Sequence, residues 1–351
     1  MKPAKIPVGV LAATGSVGQR FVQLLTDHPW FEVAAVTGSE RSTGELYGDV
    51  CRWILPQAIP TQVASLPVLP TLPVGMDVPL VFSALPASVA LEAEPEYARK
   101  GMLVCSNASA FRQAGDVPLL LPEVNPEHTG LLVFQRQNRA WEGGITTNPN
   151  CTSTGITIAL KALQEAFGIQ RVFAVSMQAL SGAGYPGVPS MDIIDNVIPY
   201  VEGEEPKVEW EPRKMLGQFT GETVRLAEFG LSVHCNRVAV SDGHMVCISV
   251  GLENEASEQQ LIEVLQDYQA PASSRELPSA PHPVIRYRAE ANRPQPRLDR
   301  LEGAGMTTVV GRVRPDPLFD WKMVVLSHNT IRGAAGGSIY NAELLHSQGY
   351  V

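Results

Sequence analysis

Near its start the chain reads Ile6-Pro7-Val8-Gly9-Val10-Leu11, a short apolar run, and continues as AATGSVGQRFVQLLTDHP. Val17, Phe21, Leu24 and Leu25 recur there at helical spacing, and Asp27, His28 and Pro29 end the pattern. Residues 31–37 form a second apolar run. A strand, a glycine-bearing turn, a helix and a second strand within about 30 residues is the opening unit of a doubly wound parallel sheet. Few other folds accommodate that order, because a parallel return needs a crossover helix lying on the sheet.

The pattern continues with strand-like runs at 79–83 and 103–106 and a helical stretch at 88–100 between them. The proline-rich piece 55–73 reads as a loop. After Cys151 the character changes: 172–179, 238–240, 246–252, 309–313 and 322–326 are strand-like and separated by long polar, proline-bearing stretches. The tail reads as a helix from Ser338 that returns to the first domain. The expected fold is α/β: a Rossmann-like doubly wound parallel sheet (1–147 with 329–351), joined to an α+β catalytic and oligomerisation domain with a mixed, largely antiparallel sheet (148–328).

A chain of 351 residues with 44% hydrophobic content supports two cores of this kind. Its net charge of -9 and lack of any lysine or arginine run argue against a nucleic-acid partner. An anionic substrate would need a few cations converging locally. No apolar stretch approaches the roughly 20 residues that span a bilayer, and MKPAKIPVGV runs into the first strand without a cleavage site. The expectation is a soluble, cytoplasmic protein with no membrane partner. Five cysteines, at 51, 105, 151, 235 and 247, form no Cys-x-x-Cys pair, so reduced thiols and no metal site are expected.

Thr14, Gly15, Ser16 and Val17 occupy the turn where a dinucleotide's pyrophosphate meets free amides at a helix start, although Ala12 stands where the first glycine would be. At the end of the second strand, Ser39, Arg41 and Ser42 suit a 2'-phosphate and favour NADP, while Glu40 offers the competing contact to a ribose hydroxyl.

NPNCTSTG places Cys151 between a loop and a helical run at 152–167 whose Ile156, Leu160, Leu163 and Phe167 form a buried stripe. The positive helix end and unpaired amides favour thiolate there, and Asn150 could also stabilise an oxyanion. A cysteine that attacks an aldehyde needs a proton acceptor, for which histidine is best matched. Of seven histidines, His244 follows a turn between two strands. His28, His128, His282 and His346 read as surface, and His234 and His328 as structural. Because His244 shares strand parity with Val246, Ile248 and Val250, a satisfied core histidine is its competing reading.

The motifs AATGSVGQ, TGSERSTGELYGDVCRW, FSALP, SNASAFR, LLLPEVNPEH, TTNPNCTSTG, MQALSGAGYPGVPSMDIIDNVIPY, GEEPK, NRVAVSDGH, RPQPRLDR and NTIRGAAGGSIYNAELL follow one another in order. With them the chain resembles the aspartate-semialdehyde dehydrogenase family of archaeal and fungal type, nearly end to end. The resemblance implies NADP-dependent interconversion of 4-aspartyl phosphate with L-aspartate 4-semialdehyde and phosphate, toward lysine, threonine and methionine. It implies Cys151 as nucleophile, His244 as acid/base and Gln178 as an orienting group. Arg237, Glu204 and Asn150 would bind substrate, and Arg112, Lys207 and Asn107 phosphate. The cofactor would meet the glycine turn, Ser39, Arg41 and Ser42, then Ser83, Ala84, Leu85, Ser181, Gly182, Asn329 and Gly333. A homodimer or homotetramer is implied. Malonyl-CoA reductases resemble the same family and supply the rival reading. N-acetyl-glutamyl-phosphate reductase fits less well. A catalytically silent nucleotide sensor would have no use for Cys151, Gln178, Arg237 and His244 together.

Overall fold

A computed structural model describes residues 4–351. Residues 1–3, the first letters of the MKPAKIPVGV reading, lie outside the described residues. Strands β1 (Ile6–Leu11), β2 (Phe31–Thr37), β3 (Val68–Leu69), β4 (Leu80–Ser83), β5 (Leu103–Ser106) and β6 (Gly144–Thr147) form a parallel sheet in the order β3-β2-β1-β4-β5-β6. This is the doubly wound order, and its direction reverses between β1 and β4, where a crevice opens beyond the strand ends. Helix α1 (Ser16–Leu25) starts at that point, and α2 (Ala87–Arg99) and α3 (Leu131–Arg139) cover the sheet. Every residue of β4 and β5 is buried, as central parallel strands require.

A second sheet runs β10-β7-β11-β14-β13-β12, from β7 (Ile169–Gln178), β10 (Gly230–Arg237), β11 (His244–Leu252), β12 (Ile285–Arg288), β13 (Thr308–Pro315) and β14 (Trp321–Ser327). A small hairpin, β8 (Gln218–Phe219) with β9 (Val224–Arg225), stands apart. The sheet is mixed: its two edge pairs are parallel and the central strands antiparallel. Helices α4 (Cys151–Phe167), α5 (Glu204–Met215) and α6 (Glu258–Asp267) pack on one face around Ile156, Leu160, Val246, Ile248 and Val250. On the other face β7 presents half-buried Phe173, Val175 and Met177, and β11 the exposed Cys247. Helix α7 (Gly336–Ser347) then returns to the first core through Ile339, Ala342 and Leu345.

Five sequence expectations need correction. Residues 238–240 form no strand: β10 ends at Arg237, and the chain doubles back through a tight Val240 N–H to Val238 carbonyl bond before Gly243 at φ 97°. Within 55–73, Val68–Leu69 adds an edge strand and Thr61–Ala64 a helical turn. His28 is buried, its Nδ1 accepting the N–H groups of Trp30 and Phe31 while Nε2 meets Glu343 at 2.8 Å. His128 is fully buried between Asn125 and the Gly217 carbonyl, whereas His234, expected as structural, is exposed.

Candidate active site

Cys151 is the first residue of α4, where the crevice of the first sheet meets the second. Asn150 caps the helix, its Oδ1 accepting from Thr152 N at 2.8 Å and Ser153 N at 3.2 Å. Sγ of Cys151 lies 3.2 Å from Nε2 of His244, the first residue of β11. Nδ1 of His244 accepts the Ala179 N–H at 3.0 Å. A neutral ring that accepts at Nδ1 carries its proton on Nε2, facing the sulfur. His244 is thus buried, with Nδ1 held by the backbone and Nε2 directed at the sulfur.

The electrostatics differ from the helix-end expectation. Burial, reinforced by the Glu204 carboxylate, pushes the Cys151 thiol up to about 12, against the pull of Arg112 and Arg237. Burial, with Arg237 and His328 nearby, pushes His244 down to about 3. The free site therefore holds a neutral thiol beside a neutral imidazole at physiological pH. Two of the amides that would have favoured thiolate are already taken by the Asn150 cap.

Around this pair the remaining candidates converge. Glu204, at the start of α5, accepts Asn150 Nδ2 at 2.7 Å, Gln178 Nε2 at 3.3 Å and Lys207 Nζ at 3.2 Å. Gln178 ends β7 and Arg237 ends its parallel neighbour β10, so strand register puts them side by side. Arg237 Nη1 donates to the Ala179 carbonyl at 2.7 Å. Arg112 donates to Glu211 at 2.9 Å and to the Asn107 carbonyl at 2.8 Å. Its Nε, and both amide atoms of Asn107, are buried without partners. Buried polar groups left open in this way point to a ligand that completes them.

The nucleotide turn fits a dinucleotide. Gly15 precedes α1 with no side-chain cap, which leaves the helix's first amides open. A Cβ on Gly18 would stand 2.3 Å from the Ala12 carbonyl, so only glycine permits the approach of helix to strand. Ala12 itself adopts the left-handed conformation at φ 55° and donates to Thr37 Oγ1, so the turn keeps the glycine shape at some strain. A cleft of about 380 Å³ runs from Ser16 and Arg20 past Ile54 to Ser181, Gly184 and Thr330. Ser39 and Arg41 follow the end of β2 and are exposed, outside the residues that line this cleft, while the Ser42 hydroxyl is turned inward and donates to the Ser39 carbonyl. Ser83 ends β4, Ala84 and Leu85 follow it, and the Ser83 hydroxyl accepts the Leu85 N–H.

The stretch after β14 closes the site. Asn329 accepts the Gly243 N–H and donates to Ser181 Oγ, both at 2.8 Å, so its amide ties three loops together. Gly333 packs onto Cys151, and Gly182 lies against Arg237 and His244. Sequence reasoning missed Glu211, whose second oxygen accepts the Asn150 N–H at 2.6 Å, and Lys214. It also missed the fully buried pair of Arg332 and Glu123. The signal for the first two was present: Glu204, Lys207, Glu211 and Lys214 recur at helical spacing.

Two family models match the chain: the semialdehyde dehydrogenase NAD-binding domain over residues 7–131 and the semialdehyde dehydrogenase dimerisation domain over 160–332. The aspartate-semialdehyde dehydrogenase of Archaeoglobus fulgidus is 49% identical over 338 residues, covering 96% of this chain and 97% of that protein. That of Schizosaccharomyces pombe is 43% identical over 350 residues, covering 97% and 98%. The crystal structure of the Candida albicans aspartate-semialdehyde dehydrogenase with NADP superposes with a TM-score of 0.90 at 40% identity, covering 99% of this chain and all of that one.

Proposed function

Since this chain belongs to the aspartate-semialdehyde dehydrogenase family, we propose that it converts L-aspartate 4-semialdehyde and phosphate to 4-aspartyl phosphate, and the reverse, through a thioester on Cys151. The carrying observation is the Cys151 sulfur, 3.2 Å from the His244 ring and under the charge of Arg112, whose Nε lacks a partner, as does the amide of Asn107 to which Arg112 is bonded. NADP, held along the glycine turn with Ser39 and Arg41 toward its 2'-phosphate, supplies the hydride acceptor or donor when bound. In the biosynthetic direction the product serves lysine, threonine and methionine formation.

The protein's part in the chemistry follows from the geometry. The sulfur adds to the aldehyde carbon as thiolate, its proton having left to solvent. The Nε2–H of His244 faces first the sulfur and then the alkoxide oxygen that addition creates, so its service is hydrogen-bond donation that stabilises the alkoxide, and with NADP bound the aldehyde carbon's hydride would pass to it and leave the thioester. Gln178 and Asn150 orient the acyl group, with Asn150 held by Glu204. Arg237 pairs with the substrate carboxylate and Glu204 with its amino group. An oxygen of phosphate, held by Arg112, Asn107 and Lys207, then attacks the thioester carbon, and Cys151 leaves as thiolate into the Nε2–H bond.

In this reading residues 1–147 with 329–351 form the cofactor-binding unit, and 148–328 the catalytic and oligomerisation unit. The open face of the second sheet, bordered by exposed Met191, Ile194 and Tyr200, supports a homodimer or dimer-based tetramer. No helix among the described residues is long and apolar enough to cross a membrane. The test is steady-state kinetics with NADP(H) against aspartate semialdehyde plus phosphate and against malonyl-CoA. Turnover confined to the first set, and lost in Cys151→Ala with cofactor binding kept, is the expected result. Turnover of malonyl-CoA alone would transfer the site to the acyl-CoA reductase reading.

A further inference from the structure

Behind the substrate groups, helix α5 carries a second polar row. Glu211 bridges two parts of the site, accepting Arg112 on one oxygen and the Asn150 N–H on the other. One turn on, Lys214 is 3% exposed, and its Nζ donates to the main-chain carbonyls of Arg112 at 2.8 Å, Ala114 at 2.8 Å and Val117 at 2.9 Å. Those bonds use all three donors of the ammonium group. An ammonium withdrawn this far from water costs free energy unless its surroundings need the charge.

What needs it is the segment 107–117. It contains neither helix nor strand, and its turn bonds run from 3.1 to 3.4 Å: Arg112 N to Ser109 O at 3.4 Å, Ala114 N to Phe111 O at 3.1 Å, and Val117 N to Ala114 O at 3.3 Å. The three Lys214 bonds are shorter, charge-assisted, and spread over six residues of that loop. We propose that Lys214 is a positioning residue for phosphate recognition, locking the 107–117 loop onto α5 so that Arg112 Nε and the Asn107 amide stay directed at the site. This inference rests on the phosphate-binding reading of Arg112, Asn107 and Lys207.

The lock is pH-sensitive. Burial pushes Lys214 down to about 8, against Asp116 and Glu211, which hold it up. The charged and titratable groups facing it are Asp116, itself paired with Arg139, the loop's Arg112, Glu211 on its own helix, and His128 from the 126–130 turn. Above that point a neutral amine has two N–H donors for three carbonyls.

The experiment is initial-rate kinetics on the full chain with aspartate semialdehyde and NADP fixed and inorganic phosphate varied, at about pH 7.5 and 9.5. Lys214→Met should raise the KM for phosphate about tenfold at the lower pH, the scale of one lost charge-assisted bond, with the KM for aldehyde unchanged. The unsubstituted protein should approach the same value at the higher pH. Fuller ionisation of phosphate strengthens its attraction to arginine, so that cause has the opposite sign. Lys214→Arg keeps its charge and should abolish the alkaline rise, a readout that stands even where Lys214→Met folds poorly. A phosphate KM that ignores both substitutions, or a uniform loss across kcat and every KM, overturns the inference. Arg112→Ala and Lys207→Ala separate the two levels. If they raise the phosphate KM while the Lys214 variants do not, the inference alone falls. If they too leave it unmoved, the phosphate reading falls and the inference with it.

Discussion

Gly333→Ala adds one methyl group at the point where the C-terminal segment touches the nucleophile. Gly333 does not have a positive φ, so alanine can adopt its backbone and the contact alone decides the outcome. The added Cβ would stand 2.8 Å from Cys151 Cβ and 2.9 Å from its Cα. Carbon atoms settle at about 3.5–4.0 Å, so one side must retreat by roughly 1 Å. Neither side gives easily. The helix start is held by the Asn150 cap and by Glu211, and the loop by Arg332 on Glu123, Gly333 N on the His328 carbonyl and Asn148 on the Gly333 carbonyl.

Overpacking of this kind costs about 1–3 kcal/mol, a few degrees of melting temperature in a chain this size. The kinetic effect should be larger than the stability effect, because a 1 Å displacement of a reacting group costs on the order of 100-fold in rate. The assay pairs thermal melts with kcat measured at saturating aldehyde, NADP and phosphate. Gly230→Ala is the control, since its Cβ would meet only Arg171 at 3.9 Å. The expected result is a folded Gly333→Ala protein with kcat down about 100-fold and an unaffected control. A variant within twofold of the parent would show that the position of this loop does not govern the sulfur.

Two further predictions concern protonation. Because burial pushes the Cys151 thiol up to about 12, its alkylation by iodoacetamide in the ligand-free protein should be slow at neutral pH and rise about tenfold per pH unit through pH 10; a plateau near pH 7 would mean that the thiolate is already formed. Glu94 is buried in α2, with Oε1 accepting Ser106 Oγ at 2.6 Å and Oε2 without a partner, and burial pushes it up to about 7. A carboxyl raised on folding gives stability that is present below about 4.5 and lost as pH climbs through 7. Glu94→Gln should remove that dependence and melt higher than the parent at pH 8, by up to about 3 kcal/mol; parallel melting curves from pH 5 to 8 would contradict the assignment.

The first domain was legible because its signals are local. In β1, β2 and β5 the apolar runs and their stops coincide with the strand bounds found in the structure. Helix α5 was not, because EEPKVEWEPRKM turns charged residues inward: Glu204, Glu211 and Lys214 are buried, which inverts the rule that periodicity relies on. Edge strand β10 escaped for the related reason that GLSVHCNR alternates polar groups over its open face. His28 gave no sign of burial because its partner Glu343 is 315 residues away. The Cys151 expectation went astray at the same level. A helix end is visible in eight letters, whereas the opposing burial and the Glu204 charge arise only when α5 folds across the site.

That inward row also bears on how an acidic chain handles anions. Most of the site's cations arrive already matched: Arg112 by Glu211, Lys207 by Glu204, and Arg332 by Glu123. Arg237 makes no ion pair among the described residues, and its bond to the Ala179 carbonyl leaves its charge uncompensated. Matched cations keep a buried pocket from accumulating like charge, which would otherwise unfold it or attract bulk anions. In the proposed reaction the uncompensated Arg237 meets the substrate's fixed carboxylate, whereas Arg112 and Lys207 receive phosphate only as their own carboxylates share them. Binding at the first point should therefore be tight and nearly indifferent to salt, and binding at the second weaker, because phosphate there competes with the carboxylates that already pair its cations.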